Sequence, residues 1–147
     1  MSKVEDEREN NKVTEGTRIS VVDDDASMRE AINTLISSMG LSVDEFSSAE
    51  DFLKSGQCPG FDCLILDVRM PGLDGLELQR RLIAANMGIP IVFITGHYSE
   101  AQRKIAMEAG AVAFLRKPFT EQELLNAIDA SLAIRNQNVD RSEAEYD

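Results

Sequence analysis

RISVVDDDASMREAINTLISSMG, residues 18–40, holds a strand, a turn and a helix in one short stretch. Arg18 to Val22 is a run that predicts a strand, and Asp23, Asp24 and Asp25 stop it. Met28, Ile32, Leu35, Ile36 and Met39 then recur at helical spacing until Gly40 supplies a C-terminal stop. A strand followed at once by a helix is one unit of an α/β fold, and the rest of the chain repeats it.

Leu41 to Phe46 predicts a second, weaker strand, and Ser47 with Glu50 forms a capping-box pattern opening a short helix that ends near Gly56. Phe61 to Leu66 is a third strand, apolar enough for a sheet interior, with Asp67 at its end. Leu76 to Ala85 predicts the third helix, and Ile89 to Ile94 a fourth strand terminated by Thr95. Ser99 or a neighbour caps a helix through Ala109, Gly110 ends it, and Val112 to Leu115 makes a fifth strand. Thr120 with Glu123 is a second capping box, opening a last helix with a stripe of Leu124, Leu125, Ile128 and Leu132. Five strands alternating with five helices imply an α/β fold with a doubly wound parallel sheet, whose site lies at the carboxyl ends of the strands.

The chain has 147 residues, enough for one domain with a core that needs no disulfide or metal staple. Apolar periodicity is confined to about residues 17–134, so residues 1–16 read as a flexible tail and 135–147 as a polar tail or linker. The net charge of −11 argues against a surface that tracks nucleic-acid phosphates. Cys58 and Cys63 have no second pair and the chain has one histidine, so they read as free thiols in a reducing compartment rather than zinc ligands. The first sixteen residues contain no apolar signal core, and residues 82–99, although uncharged, are broken by Asn86, Gly88, Pro90 and Gly96. A cytoplasmic protein that does not enter the membrane is expected.

The strands deliver Asp23 and Asp24, Asp67, Thr95 and Lys117 to one edge. Any one of these aspartates, taken alone, reads as an ordinary solvated loop acid. Together they form a set: adjacent carboxylates repel, a hard divalent cation relieves them, and a lysine with a hydroxyl suits an anion rich in acceptor oxygens. A phosphoryl group fits that description.

VVDDD at 21–25, LDVRMPGLDG at 66–75, ITGH at 94–97 and FLRKPF at 114–119 resemble the receiver (CheY-like) domain of two-component response regulators, over about residues 18–134. DVRMP, TGH and AGAVAFLRKPF look closest to the FixJ-type branch. The resemblance implies a flavodoxin-like sheet in the order 2-1-3-4-5 and makes Asp67 the phosphoacceptor. It implies Mg2+, or Mn2+, held by Asp24, Asp67 and the Arg69 backbone carbonyl, with Asp23 acting through water. Thr95 and Phe114 would be the switch hydroxyl and switch aromatic, and Lys117, before a cis Pro118, would contact the phosphoryl oxygens. It further implies a sensor histidine kinase as phosphodonor, DNA reached only through an output domain outside this chain, and a homodimer on phosphorylation. No enzyme activity beyond the chain's own phosphorylation and dephosphorylation is implied. Tyr98 departs from the small residue expected in the FixJ-type loop.

Ala101, Ile105 and Ala109 recur at i, i+4 and i+8 and are expected to face the sheet, turning Lys104 and Glu108 to solvent, and the resemblance implies a dimer face there, with Arg116 beside them. Other classes fit less well. An aspartyl-phosphate phosphohydrolase needs an acid where Arg69 stands, and a flavin module needs a phosphate loop where Asp23 to Ala26 stand. A stand-alone regulator acting through protein contacts differs from the leading reading only in its output.

Overall fold

The computed structural model describes residues 16–146, and side-chain surroundings through residue 136. The tail expected over residues 1–16 lies, apart from Gly16, outside the described residues. Five strands, β1 (Arg18–Val22), β2 (Ser42–Phe46), β3 (Cys63–Asp67), β4 (Ile91–Thr95) and β5 (Ala113–Arg116), form one parallel sheet in the order β2-β1-β3-β4-β5. Between and after them run α1 (Ala26–Ser37), α2 (Ala49–Lys54), α3 (Gly75–Ala84), α4 (Glu100–Glu108) and α5 (Glu121–Tyr146).

Alternation along the strands divides the interior into two cores. Val22, Leu64, Leu66 and Phe93 point to one face, where Phe52, Leu78 and Ala106 from α2, α3 and α4 cover them. Ile19, Val21, Ile65 and Ile94 point to the other, against Ile32 and Ile36 of α1 and Leu124 and Ile128 of α5. β3 and β4 are buried along their whole length, as expected of central strands with helices on both faces. Each large aliphatic or aromatic side chain so buried contributes roughly 1.5–3 kcal/mol.

β1 has the limits the sequence predicts, and the other strands differ by one or two residues. β4 starts after Pro90, which has no N–H for the ladder but whose carbonyl accepts from Leu64 N–H at 2.9 Å. The first capping box is not formed as expected. Ser48, not Ser47, caps α2 by accepting from Asp51 N–H at 3.0 Å, and Ser47 donates to the Asp51 carboxylate at 3.3 Å. The second box is formed: Thr120 Oγ1 accepts from Glu123 N–H at 3.0 Å, and Glu123 accepts from Thr120 N–H at 3.1 Å.

The apolar spacing in α4 misplaces its inner face. Ala101, Ile105 and Ala109 are exposed, Ile105 by 54%, and Ala106 is the buried residue. Gln79 of α3 donates its amide to the Ala106 carbonyl at 3.1 Å, which sets the helix close against α3. Alanines carry too little apolar area to outweigh that contact and the Ser99 cap. α5 does not stop at Ile134 but continues through the polar segment to Tyr146, and Arg135 pairs with Asp62 at 3.4 Å. Among the described residues no helix is long and apolar enough to cross a membrane.

Replacing Ser48 with alanine should cost about 1 kcal/mol in urea denaturation, the usual loss for an N-cap hydroxyl, and Ser47→Ala should cost less than half of that. Equal losses would show that the cap is shared.

Candidate functional site

The strand order brings Asp23, Asp67, Thr95 and Lys117 to the carboxyl edge. Asp67 is the last residue of β3 and Thr95 the last of β4, and both are buried. Val68 N–H donates to the Ile94 carbonyl at 3.0 Å, and Lys117 N–H to the Thr95 carbonyl at 2.7 Å, so each loop leaves the sheet in fixed register. At Gly75, the first residue of α3, a Cβ would collide with the Asp67 carbonyl oxygen. Only glycine lets α3 begin that close to the end of β3.

Asp23 is wholly buried and fully engaged. One carboxylate oxygen accepts from Asp25 N–H at 2.9 Å and the other takes Lys117 Nζ at 2.9 Å. Its carbonyl receives the Arg29 guanidinium at 2.6 Å. Asp67 is less well served: Lys117 Nζ lies 3.8 Å away and Arg69 N–H donates to it at 3.4 Å. Lys117, expected on the phosphoryl side, is thus held chiefly by Asp23. Burial, and then the neighbouring Asp23 charge, push the Asp67 carboxyl up to about 7.

Asp24 is exposed at the mouth, and one carboxylate oxygen from each of Asp23, Asp24 and Asp67 lies within 4.8 Å of the others. Hard oxygen donors, one of them open to water, fit a divalent cation such as Mg2+ that keeps part of its hydration shell. The negative cluster with a single ammonium also suits a group that brings its own cation, as a phosphoryl group does.

Thr95 Oγ1 accepts from His97 N–H at 3.0 Å and donates to the His97 carbonyl at 3.1 Å, so its hydroxyl is tied within its own loop. Phe114 is half-buried, with Phe93 and Tyr98 each 6.0 Å away between ring centroids. The Peptide bond between Lys117 and Pro118 is cis. Lys104 and Glu108 are exposed on α4, and Arg116, also exposed, stacks its guanidinium 4.1 Å over the Tyr98 ring. The Tyr98 hydroxyl donates in turn to Glu100.

Sequence reasoning did not anticipate three contacts in and around the site. Arg29 on the Asp23 carbonyl, Arg116 on Tyr98 and Glu50 on Leu73 N–H join residues with no shared periodicity. The unusual Tyr98 was the one signal available.

The chain matches the family described as "Response regulator receiver domain" over residues 19–129. It is 49% identical over 113 residues to Nodulation protein W of Bradyrhizobium diazoefficiens, covering 77% of this chain and 50% of that one. It is 43% identical over 114 residues to Transcriptional regulatory protein FixJ of the same organism, covering 78% and 56%. The solved structure of Response Regulator StyR superimposes with a TM-score of 0.81 at 45% identity, covering 88% of this chain and 65% of that one. The chain spans about half the length of the curated relatives it matches.

A carboxyl whose folded value of about 7 stands above its ordinary 3.8 stabilises the fold while protonated, and that contribution is lost as pH rises through 7. In metal-free buffer Asp67→Asn should therefore be more stable than the wild type by on the order of 2 kcal/mol at pH 8, with the gap narrowing toward pH 4. Urea titrations at both pH values check this, and a gap independent of pH would refute it.

Proposed function

The chain belongs to the response regulator receiver family, and from that premise we propose that Asp67 takes a phosphoryl group from the phosphohistidine of a sensor histidine kinase. The observation that carries this reading is the gathering of Asp23, Asp24 and Asp67 at the ends of β1 and β3, with Lys117 beside Asp23 and Asp67.

An Asp67 carboxylate oxygen forms the new bond to phosphorus as the bond from phosphorus to the imidazole nitrogen breaks, and the nitrogen keeps the electron pair. Ionised Asp67 needs no general base. Asp24, Asp67 and the Arg69 backbone carbonyl, with Asp23 through water, are the ligands we assign to Mg2+ or Mn2+, which when bound neutralises charge on the phosphoryl oxygens and on the carboxylates themselves. Lys117 needs only a short swing from Asp23, at 2.9 Å, toward Asp67, at 3.8 Å, to meet a phosphoryl oxygen.

After transfer, Thr95 exchanges its neutral bond to the His97 carbonyl for one to the phosphoryl group. A hydrogen bond to a charged acceptor is worth about 1.5–3 kcal/mol against roughly 1 for a neutral pair, so the exchange is favourable. Phe114 then moves into the space the hydroxyl vacates, and the α4–β5 face changes shape. We assign the protein to the cytoplasm with its kinase, as a signalling protein whose only catalysis is its own phosphorylation and dephosphorylation. The regulators it resembles are about twice as long as the stretch they share with this chain, which supports a DNA-binding output domain outside these 147 residues.

Acetyl phosphate with Mg2+ should add one phosphoryl group by intact mass, and none without a divalent cation or to Asp67→Asn. Equal incorporation by that variant would overturn the assignment of Asp67.

Lys104, Glu108 and Arg116 lie on the face proposed to pair across a twofold axis, where Lys104 of one copy meets Glu108 of the other. Exposed ion pairs contribute about 0–1 kcal/mol each, so the dimer should be weak and sensitive to salt. Sedimentation should show a monomer before activation and a dimer with beryllofluoride, weakened by Lys104→Glu. A monomer in both states would exclude this face as the output.

A further inference from the structure

We propose that Glu50 is a positioning residue for the phosphoacceptor loop, holding residues 68–74 so that the Arg69 backbone carbonyl stays in place for the cation; this rests on the reading of Asp67 and its acidic neighbours given above.

The loop is anchored at both ends. Val68 N–H is bound to Ile94, Arg69 N–H to Asp67, and Gly75 N–H to the Val68 carbonyl at 2.9 Å. Asp74 caps α3 through Glu77 N–H at 2.9 Å. Between these anchors Arg69, Pro71 and Gly72 are exposed. The tie from another element is Leu73 N–H, which donates to Glu50 Oε2 at 3.1 Å across 23 positions of sequence.

Glu50 sits in the first turn of α2, where a capping-box partner for Ser47 was expected. The Ser48 cap leaves its carboxylate free to reach the loop. At Gly72, where φ is +76°, a Cβ would collide with Glu50 Oε2, so the carboxylate lies directly against the loop's apex. The Leu73 N–H holds the Glu50 carboxyl below the usual carboxylate range, so the acceptor is an anion and the bond is charge-assisted.

A backbone carbonyl binds a cation well only if it is already in place, because ordering a loose loop at the moment of binding costs affinity. Groups that orient a metal's ligands typically matter by one or two powers of ten in affinity. Glu50 orients a backbone ligand from a solvent-exposed position, which places it at the lower end of that range. Its loss should weaken cation binding while leaving the phosphoryl-transfer groups themselves unaltered.

Two measurements on Glu50→Ala and the milder Glu50→Gln, beside the wild type, decide this. In metal-free protein, amide exchange at Leu73 should be about tenfold faster in Glu50→Ala, with Glu50→Gln between it and the wild type. By calorimetric titration the Mg2+ dissociation constant should rise by roughly tenfold in Glu50→Ala, with a smaller rise in Glu50→Gln, while the phosphorylation rate from acetyl phosphate at saturating Mg2+ is unchanged. Wild-type exchange at Leu73 in Glu50→Ala overturns the contact. Faster exchange with an unchanged Mg2+ constant overturns the positioning role and leaves Glu50 a loop brace. A wild type that binds no Mg2+ overturns the acidic-site reading as well, and that failure is recognised because it precedes any comparison of variants.

Discussion

Asp67 lies buried beside the wholly buried Asp23, and the rest of the site is arranged around their repulsion. Moving carboxylates out of water is costly unless other charges or donors compensate them. Lys117 meets Asp23 closely and Asp67 only at longer range, which leaves Asp67 the undercompensated member. The site is therefore poised to accept positive charge, and the exposed Asp24 opens it to solvent. The parallel sheet makes the arrangement possible, because the carboxyl edge collects residues that end or follow β1, β3, β4 and β5.

Most of this frame was legible in the chain. Apolar runs that end in Asp, Asp and Thr announce strands and strand ends together, and helical spacing after the first of them settles the alternation. The acids, hydroxyl and lysine could be assigned to one edge from strand order alone. Legibility fails where the deciding contact is between side chain and backbone across elements. Ser47 and Ser48 are equivalent in sequence, and only the path out of β2 selects Ser48. In α4 the stripe through Ile105 is a better pattern than the true one, yet the amide of Gln79 draws Ala106 inward. Glu50 reads as a local cap because its actual partner lies 23 residues away.

The loop after β4 joins the interior to the surface. Tyr98 stands where a small residue was expected, and its ring joins Phe114 to the Arg116 guanidinium. Cation–π contacts at exposed sites contribute about 0.5–1 kcal/mol, enough to weight one loop position over another without fixing it. Movement of Phe114 must therefore disturb Arg116 as well, joining the interior ring to the charge on the surface.

The two cores have a further consequence. Phe114 belongs with the layer of α2, α3 and α4, whereas its neighbours Ala113 and Leu115 belong with the layer of α1 and α5. The sheet between them works as a bulkhead. The aromatic side chains Phe93 and Phe114 pack in one compartment, and the α1 and α5 layer forms a keel that shares none of them. A surface on the keel and a surface on the opposite side are thus backed by different cores, so a single small domain can keep two contact faces physically separate.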